Sequence, residues 1–143
     1  MPTAGSSPER VIEIHGNVHE VKCLSCTWRG PMPAALDRVR AGEDDPRCLG
    51  CGGILKSTTI SFGENLVPAD LQRAQLAAQD CDLFLAVGSS LTVYPAAGLP
   101  EVASNAGARL VVMNAQETPF DRVAAAVIPE QLGTVLPELI ALV

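Results

Sequence analysis

The pattern of hydrophobic and polar positions changes near residue 68 of the chain. Before this point apolar residues fall in short runs, and the alternation over residues 11–15 predicts a strand that ends at Gly16. Residues 32–40 predict a short helix and residues 42–46 an acidic, turn-rich loop. Further short extended segments are predicted, at residues 18–22, 54–56 and 58–61.

From residue 68 onward, helical periodicity alternates with continuous apolar runs. Helices are predicted over residues 68–80, 95–105 and 132–143, and strands over residues 83–87, 110–113 and 124–128. Such alternation is typical of a parallel sheet covered by helices. The fold class is therefore α/β, with three strands that correspond to half of a doubly wound, Rossmann-like sheet. Ligands of such sheets bind beyond the carboxyl ends of the strands.

The composition excludes several classes of protein. Of the 143 residues, 48% are hydrophobic and 18% charged, which is too apolar for a disordered chain. The 10 Lys and Arg residues against 16 Asp and Glu residues give a net charge of −6, so no direct binding of nucleic acid is predicted. No apolar run reaches membrane-helix length and no secretion signal opens the sequence. We therefore expect a cytoplasmic protein with no membrane partner.

Four of the five cysteines form two CxxC pairs, Cys23 with Cys26 and Cys48 with Cys51. Each pair presents two thiolates from one tight turn, and two such turns complete a tetrahedral site. The sequence thus predicts one structural Zn²⁺, because four protein ligands leave no coordination position open for catalysis. A redox pair and a rubredoxin-like iron site are the alternatives. Cys81 stands apart and is expected to be a small buried hydrophobe.

Five motifs occur in an order that resembles the sirtuins, the Sir2-type NAD-dependent protein deacylases. They are Ile12-Glu13-Ile14-His15-Gly16, the paired CxxC turns, Phe62-Gly63-Glu64, Gly88-Ser89-Ser90-Leu91 and Val111-Val112-Met113-Asn114. The resemblance implies a truncated sirtuin catalytic domain over residues 1–143. Its parts would be a catalytic-histidine strand (1–16), a zinc-ribbon module (17–57) and the second half of a Rossmann-like NAD-binding fold (58–143).

The resemblance also implies that the first half of the catalytic site is absent from these 143 residues. Sirtuins carry a glycine-rich GAG turn, a GIPDFR segment and a TQN(I/V)D segment before the histidine motif, and none of these occurs here. The expectation is a chain that is weak or inactive when isolated. A cleft that cannot position the reacting atoms loses the large contribution of proximity to rate.

By resemblance, His15 is the catalytic residue, a general base acting on a ribose hydroxyl of NAD⁺ after nicotinamide has left. Without the resemblance, a lone histidine at a strand end is more simply explained as a structural residue. An acyl-lysine protein or peptide is the implied partner. Its implied binding residues are Ile60, Phe62, Gly63, Glu64 and Val93, although residues 57–61 depart from the P-x-V-V-x that many members have.

The implied co-substrate is NAD⁺, in a site that this chain holds only in part. Its candidate binding residues are Gly88, Ser89, Ser90, Asn114, Ala115, Gln116 and Leu132. Taken singly, the same residues are explained as a turn after a strand and a capping asparagine. Leu132 departs from the family's G-x-A segment, so only its backbone is expected to contribute.

Two functions from different classes follow. The first is a protein-lysine deacylase, of the transferase class, that releases nicotinamide and O-acyl-ADP-ribose. The alternative is a catalytically dead, zinc-stabilised module of sirtuin descent that binds a nucleotide or a protein. In either case the sheet lacks neighbouring strands, so an exposed edge is predicted, which a second chain would cover.

Overall fold

The computed structural model describes residues 5–142, which form two compact units that divide between Val67 and Pro68. Within the described residues, no helix is long and apolar enough to cross a membrane. Among these residues, the first unit contains three strands and one α-helix, and the second contains three strands and three α-helices.

The first unit is built on a three-stranded antiparallel sheet in the order β2-β1-β3. Its elements are β1 (Glu20–Cys23), β2 (Arg29–Pro31), α1 (Met32–Arg40) and β3 (Leu55–Ser57). The central strand β1 buries Val21 and Cys23 and leaves Glu20 exposed, which is the alternation expected of a strand with one covered face. Helix α1 occupies the range that the sequence predicts.

The strand predicted over residues 11–15 is not formed. Ile14 and His15 lie in a turn, which the hydrogen bond from the Gly16 N–H to the Glu13 carbonyl closes at 2.7 Å. Among the described residues no strand lies beside this segment to complete a ladder. Alternation alone predicts a strand, but an unpaired strand leaves its backbone donors and acceptors unsatisfied.

The second unit is built on a three-stranded parallel sheet in the order β4-β5-β6. Its elements are α2 (Pro68–Gln79), β4 (Leu83–Val87), α3 (Leu99–Asn105), β5 (Arg109–Met113), β6 (Ala126–Ile128) and α4 (Leu132–Ala141). A 3₁₀ turn over Ala96–Gly98 precedes α3, where the sequence predicts one continuous helix. The unit therefore has the predicted α/β architecture with a parallel sheet.

The hydrophobic core of the second unit lies on one face of the sheet. Leu110 and Val112 of β5 and Ala86 of β4 are buried there with Leu91 and Phe120 from the loops. Helix α3 lies against β4 and β5, and α2 packs on α3. Because β5 has a strand on each side, it is the most buried strand of this sheet. Cys81 is only half-buried, and its thiol donates to the Ala78 carbonyl at 3.3 Å.

Candidate functional site

The four paired cysteines converge in the first unit. Their Sγ atoms all lie within 4.8 Å of one another, and the separations include 3.5 Å for Cys23 and Cys51, 3.7 Å for Cys26 and Cys48, and 3.4 Å for Cys51 and Cys26. A tetrahedral zinc with Zn–S bonds of about 2.3 Å requires sulfurs about 3.8 Å apart. The donor set therefore fits a zinc ion in chemistry and in size.

The two CxxC turns are shaped by close contacts that favour glycine. The Ser25 N–H donates to the Cys23 Sγ at 3.3 Å. A Cβ on Gly53 would lie 2.9 Å from the same sulfur and 2.7 Å from the Ser25 hydroxyl, so a side chain there would press on the ligand. Gly52 has φ +72°, a backbone conformation that favours glycine. This is why the second turn is followed by two glycines.

The four thiol groups lie so close together that their ionised forms need a cation between them. The Ser25 N–H lowers the pKa of Cys23 to about 7, from an ordinary value of 9.0. The Gly53 N–H acts to lower the pKa of Cys51, but the sulfurs of Cys26 and Cys23 raise it to about 12. Four thiols so close together cannot all ionise while nothing compensates their charge. A divalent metal supplies that charge, and metal-bound thiols deprotonate outright.

His15 is exposed and lies in the same unit, on the turn before Gly16. Gly16 has φ +68°, and a Cβ there would lie 2.1 Å from the Thr58 carbonyl oxygen. Only a residue without a side chain lets the two backbones approach so closely. The Ile60 N–H then donates to the His15 carbonyl at 2.8 Å. The structure thus brings two predicted site residues, His15 and Ile60, to one place.

Residues that sequence reasoning did not single out hold this arrangement. The Thr58 hydroxyl donates to the Asn17 carbonyl at 3.0 Å, and the Asn17 side-chain oxygen accepts the N–H of His19 at 2.9 Å and of Glu20 at 3.2 Å. Asn17 Nδ2 donates to Glu13 Oε2 at 2.6 Å. A Gly-Asn pair in the sequence signals a turn, but not the segment after β3 against which the turn packs.

The predicted peptide-binding residues Phe62, Gly63 and Glu64 form a tight turn. The Glu64 N–H donates to the Ser61 carbonyl at 2.9 Å, and the Ser61 N–H donates to Glu64 Oε2 at 2.6 Å. Gly63 has φ +88°, which the turn requires. Phe62 is 93% exposed, so this aromatic ring contributes almost nothing to a core. The turn presents backbone and an aromatic side chain to solvent.

The predicted dinucleotide-binding residues lie in the second unit, beyond the carboxyl ends of its strands. The Gly88 N–H donates to the Met113 carbonyl at 2.9 Å, and the Asn114 N–H donates to the Ile128 carbonyl at 3.1 Å. Gly88 has φ +63°, and a Cβ there would meet the Leu132 side chain at 2.9 Å. Gly88 and Leu132 are therefore neighbours, at the end of β4 and the start of α4.

Local hydrogen bonds satisfy part of the polar side chains of these residues. The Ser89 Oγ accepts the Leu91 N–H at 3.3 Å, the hydroxyls of Ser90 and Thr92 are 2.9 Å apart, and Asn114 Nδ2 donates to the Gln116 carbonyl at 2.8 Å. Ser89, Ser90, Ala115 and Gln116 are exposed, as is Val93. Leu91 has φ +52° although it is buried, a conformation rare for a residue with a side chain. Such backbone is often found at ligand sites.

Comparison with known proteins places this geometry in context. The sequence model of the Sir2 family matches residues 2–95. The chain is 51% identical over 137 residues to NAD-dependent protein deacetylase 2 of Streptomyces coelicolor, covering 96% of this chain and 57% of that protein. It is 44% identical over 138 residues to the NAD-dependent protein deacetylase of Sulfolobus acidocaldarius, covering 96% of this chain and 53% of that protein.

Solved structures agree with the sequence relatives. A structure titled Sir2-p53 peptide-NAD⁺ matches with a TM-score of 0.88 at 33% identity, covering 96% of this chain and 56% of that one. Sir2Tm bound to a propionylated peptide matches with a TM-score of 0.89 at 33% identity, covering 96% of this chain and 57% of that one. The chain belongs to the Sir2 family, and it spans little more than half the length of these relatives.

Proposed function

We propose that this chain carries part of the machinery of an NAD-dependent protein-lysine deacylase, which transfers an acyl group from lysine and releases nicotinamide and O-acyl-ADP-ribose. One observation carries the proposal. The His15–Gly16 turn is fixed against the segment that leads from Thr58 through Ile60 into the exposed turn at Phe62. A candidate base and a candidate peptide-binding segment thus share one backbone framework.

In this proposal His15 is the general base, which takes a proton from a ribose hydroxyl of NAD⁺. An imidazole suits the task because its neutral ring nitrogen can accept a proton from a hydroxyl positioned beside it. His15 is exposed, and its backbone carbonyl accepts a hydrogen bond from the Ile60 N–H. The backbone position of the residue is therefore fixed while its side chain stays accessible.

The acyl-lysine peptide would bind along the segment that contains Ile60, Phe62, Gly63 and Glu64. Val93 is, by the family resemblance, a separate candidate for peptide contact. An extended peptide that pairs with backbone gains affinity with little demand on its own sequence. Support comes from the exposed turn at Phe62 and from relatives whose structures are titled as bound to acetylated and propionylated peptides.

Gly88, Ser89, Ser90, Asn114, Ala115, Gln116 and Leu132 would contact NAD⁺, which supplies the reactive ribose when bound. These residues lie where ligands of parallel sheets bind, beyond the carboxyl ends of the strands. The four cysteines would hold one zinc with a purely structural role. The cytoplasm is the implied compartment, because its reducing conditions keep the four thiols free for metal.

We also propose that the 143 residues alone turn over NAD⁺ weakly or not at all. In addition, we propose that a second chain covers strand β4. Among the described residues β4 pairs with β5 only, so its other edge is free. The same strand leaves Leu83 52%, Leu85 48% and Val87 39% exposed. A free edge beside an apolar stripe favours pairing with another strand. These observations also favour the alternative function, a non-catalytic binding module.

The deacylase role is tested in a chimaera that joins this chain to the N-terminal part of the Streptomyces coelicolor relative that it does not match. We expect the chimaera to deacylate an acetyl-lysine peptide with NAD⁺, and His15→Ala to lower kcat at least about 100-fold, as loss of a general base does. His19→Ala is the matched control and should retain activity. A chimaera that binds zinc and folds but is equally active with Ala at position 15 would contradict the proposal.

A further inference from the structure

Two lysines lie directly opposite each other on adjacent strands in the sheet of the first unit. Lys22 of β1 is paired directly with Lys56 of β3 in the antiparallel register. Directly opposite residues of such a pair project from the same face, and like charges there destabilise the pairing. Their side chains are 29% and 24% exposed, so solvent screens the repulsion only in part. The pair needs a compensating anion.

Glu64 supplies that anion from the turn after Phe62. Its Oε2 accepts from Lys56 Nζ at 2.9 Å, and its Oε1 lies 3.9 Å from Lys22 Nζ. The same Oε2 accepts the Ser61 N–H at 2.6 Å. The carboxylate therefore points back to the sheet, where it accepts two hydrogen bonds and forms an ion pair with Lys22, and it is not turned outward as a group that contacts a ligand would be.

The register that creates this lysine pair is fixed one residue away from the metal ligands. Cys23 follows Lys22 and is paired with Leu55, which precedes Lys56. The Leu24 N–H donates to the Ile54 carbonyl at 2.9 Å, and the Cys48 N–H donates to the Gly53 carbonyl at 2.8 Å. Strands of four and three residues are marginal by themselves. A metal that joins both CxxC turns would hold them in register.

We propose that Glu64 is a positioning residue that couples the metal-bound state of the cysteine cluster to the conformation of residues 57–64. The metal fixes the β1–β3 register, the register sets the spacing of Lys22 and Lys56, and the lysines hold Glu64. Glu64 in turn closes the Ser61–Glu64 turn and orients Phe62. The inference rests on the proposed zinc and peptide-binding roles, and it revises the expected role of Glu64 from substrate contact to support of the segment.

Amide hydrogen exchange of the 143-residue chain with one equivalent of zinc tests the coupling. We expect Glu64→Gln to speed exchange of residues 57–64 about tenfold, the size expected for loss of a charge-assisted hydrogen bond. Protection of the β1–β3 amides should stay unchanged, and chelator competition should still find one zinc ion bound per chain. Glu20→Gln is the matched control, an exposed glutamate on β1 with the same change of charge, and it should leave residues 57–64 protected.

A double variant separates positioning from general destabilisation. If Glu64 acts through Lys56, residues 57–64 should exchange no faster in the variant with both Lys56→Met and Glu64→Gln than in Lys56→Met alone. Lys56→Met should already have the larger effect, because it also removes the hydrogen bond from Lys56 to the Thr59 carbonyl. Additive effects, or unchanged protection in Glu64→Gln with zinc bound, would overturn the proposal. A chain that binds no zinc would fail the chelator competition, and that result contradicts the proposed metal site and the coupling together.

Discussion

At the scale of single residues, the fold contains contacts that only one residue type can make. Glycine at position 16 lets the histidine turn meet the backbone of Thr58, and glycine at position 53 leaves room for a cysteine sulfur. The four cysteine sulfurs are separated as zinc requires. The histidine turn and the cysteine cluster each yield a prediction with a control elsewhere in the chain.

Replacing one metal ligand should abolish metal binding. We expect Cys48→Ser to reduce the zinc content from one ion per chain to nearly none and to destabilise the first unit, because structural zinc contributes directly to folding. Cys81→Ser, at a half-buried cysteine outside the cluster, should keep its full zinc content. Elemental analysis of the purified variants measures the difference, and equal zinc in both would contradict the assignment of ligands.

Adding a methyl group at Gly16 should disturb the histidine turn. Gly16→Ala combines a positive φ with a Cβ only 2.1 Å from the Thr58 carbonyl oxygen, so we expect a loss of about 2–4 kcal/mol in unfolding free energy. Gly42→Ala has φ +96° but nothing within 4 Å of its Cβ, so it should lose only about 1 kcal/mol. Denaturant unfolding compares the two, and equal losses would show that the close approach is unimportant.

At the scale of elements, regular local patterns were enough to predict most of the fold. Helix α1 and strand β4 occupy their predicted ranges, because the periodicity of apolar residues is strong in both. Strand β2 was missed because Arg29, Gly30 and Pro31 have no strand propensity, and its pairing depends on the first CxxC turn. The prediction of a strand at residues 11–15 was wrong, because no partner strand lies beside this segment in the described residues.

In the candidate site, too, features that depend on local sequence could be predicted, whereas features that depend on the pairing of distant segments could not. CxxC spacing predicts the metal cluster because the motif is local, and the carboxyl ends of β4 and β5 follow from the order of elements. The Lys22–Lys56–Glu64 cluster could not be predicted, because it depends on the register of two strands that are 32 residues apart at their paired positions Cys23 and Leu55. The role of Asn17 likewise depends on contact with Thr58, which is 41 residues away.

An ion pair closes the loop that follows α1, and it gives this loop a predictable response to acid. Arg38 holds both carboxylate oxygens of Glu43, and its Nη1 donates to the Arg47 carbonyl at 2.8 Å. The hydrogen bond from Arg38 lowers the pKa of Glu43 below its ordinary 4.5. A lowered pKa in the folded state stabilises the fold above about pH 4.5, and the stabilisation is lost as the pH falls through the folded-state value.

Glu43→Gln should therefore destabilise the protein at pH 7 and approach the wild type in stability as the pH falls below 4.5. Comparison of the two proteins at each pH cancels effects common to both, including acid release of metal. Glu20→Gln, whose glutamate is exposed on β1, should follow the wild type throughout. A constant difference between Glu43→Gln and wild type from pH 7 to pH 3 would contradict the ion-pair argument.

The free edge of β4 yields a prediction of association. Leu85 lies in the middle of the exposed apolar stripe on this strand, so Leu85→Lys should suppress strand pairing by placing a charge at the edge. We expect wild type to gain mass with concentration in light scattering and Leu85→Lys to stay monomeric. Val123→Lys, at a loop residue that is 68% exposed, is the control. Monomeric wild type at all concentrations would argue against self-pairing through this edge.

At the scale of the whole molecule, this Sir2-family chain contains two units that carry different parts of one proposed reaction. The first unit holds the cysteine cluster, His15 and the segment proposed to bind the peptide, and the second holds the carboxyl ends of the strands, where NAD⁺ is proposed to bind. Its curated relatives are nearly twice as long as the region they share with it. We propose that the residues of this chain are necessary for deacylation and not sufficient for it.

Nicotinamide release with NAD⁺ and an acetyl-lysine peptide is the measurement that decides between these possibilities. It should be measured for the 143-residue chain, for the chimaera with the N-terminal part of the Streptomyces coelicolor relative, and for both with His15→Ala. We expect release by the chimaera, loss of that release in its His15→Ala variant, and little or none by the chain alone. Robust release by the chain alone, abolished by His15→Ala, would contradict the proposal.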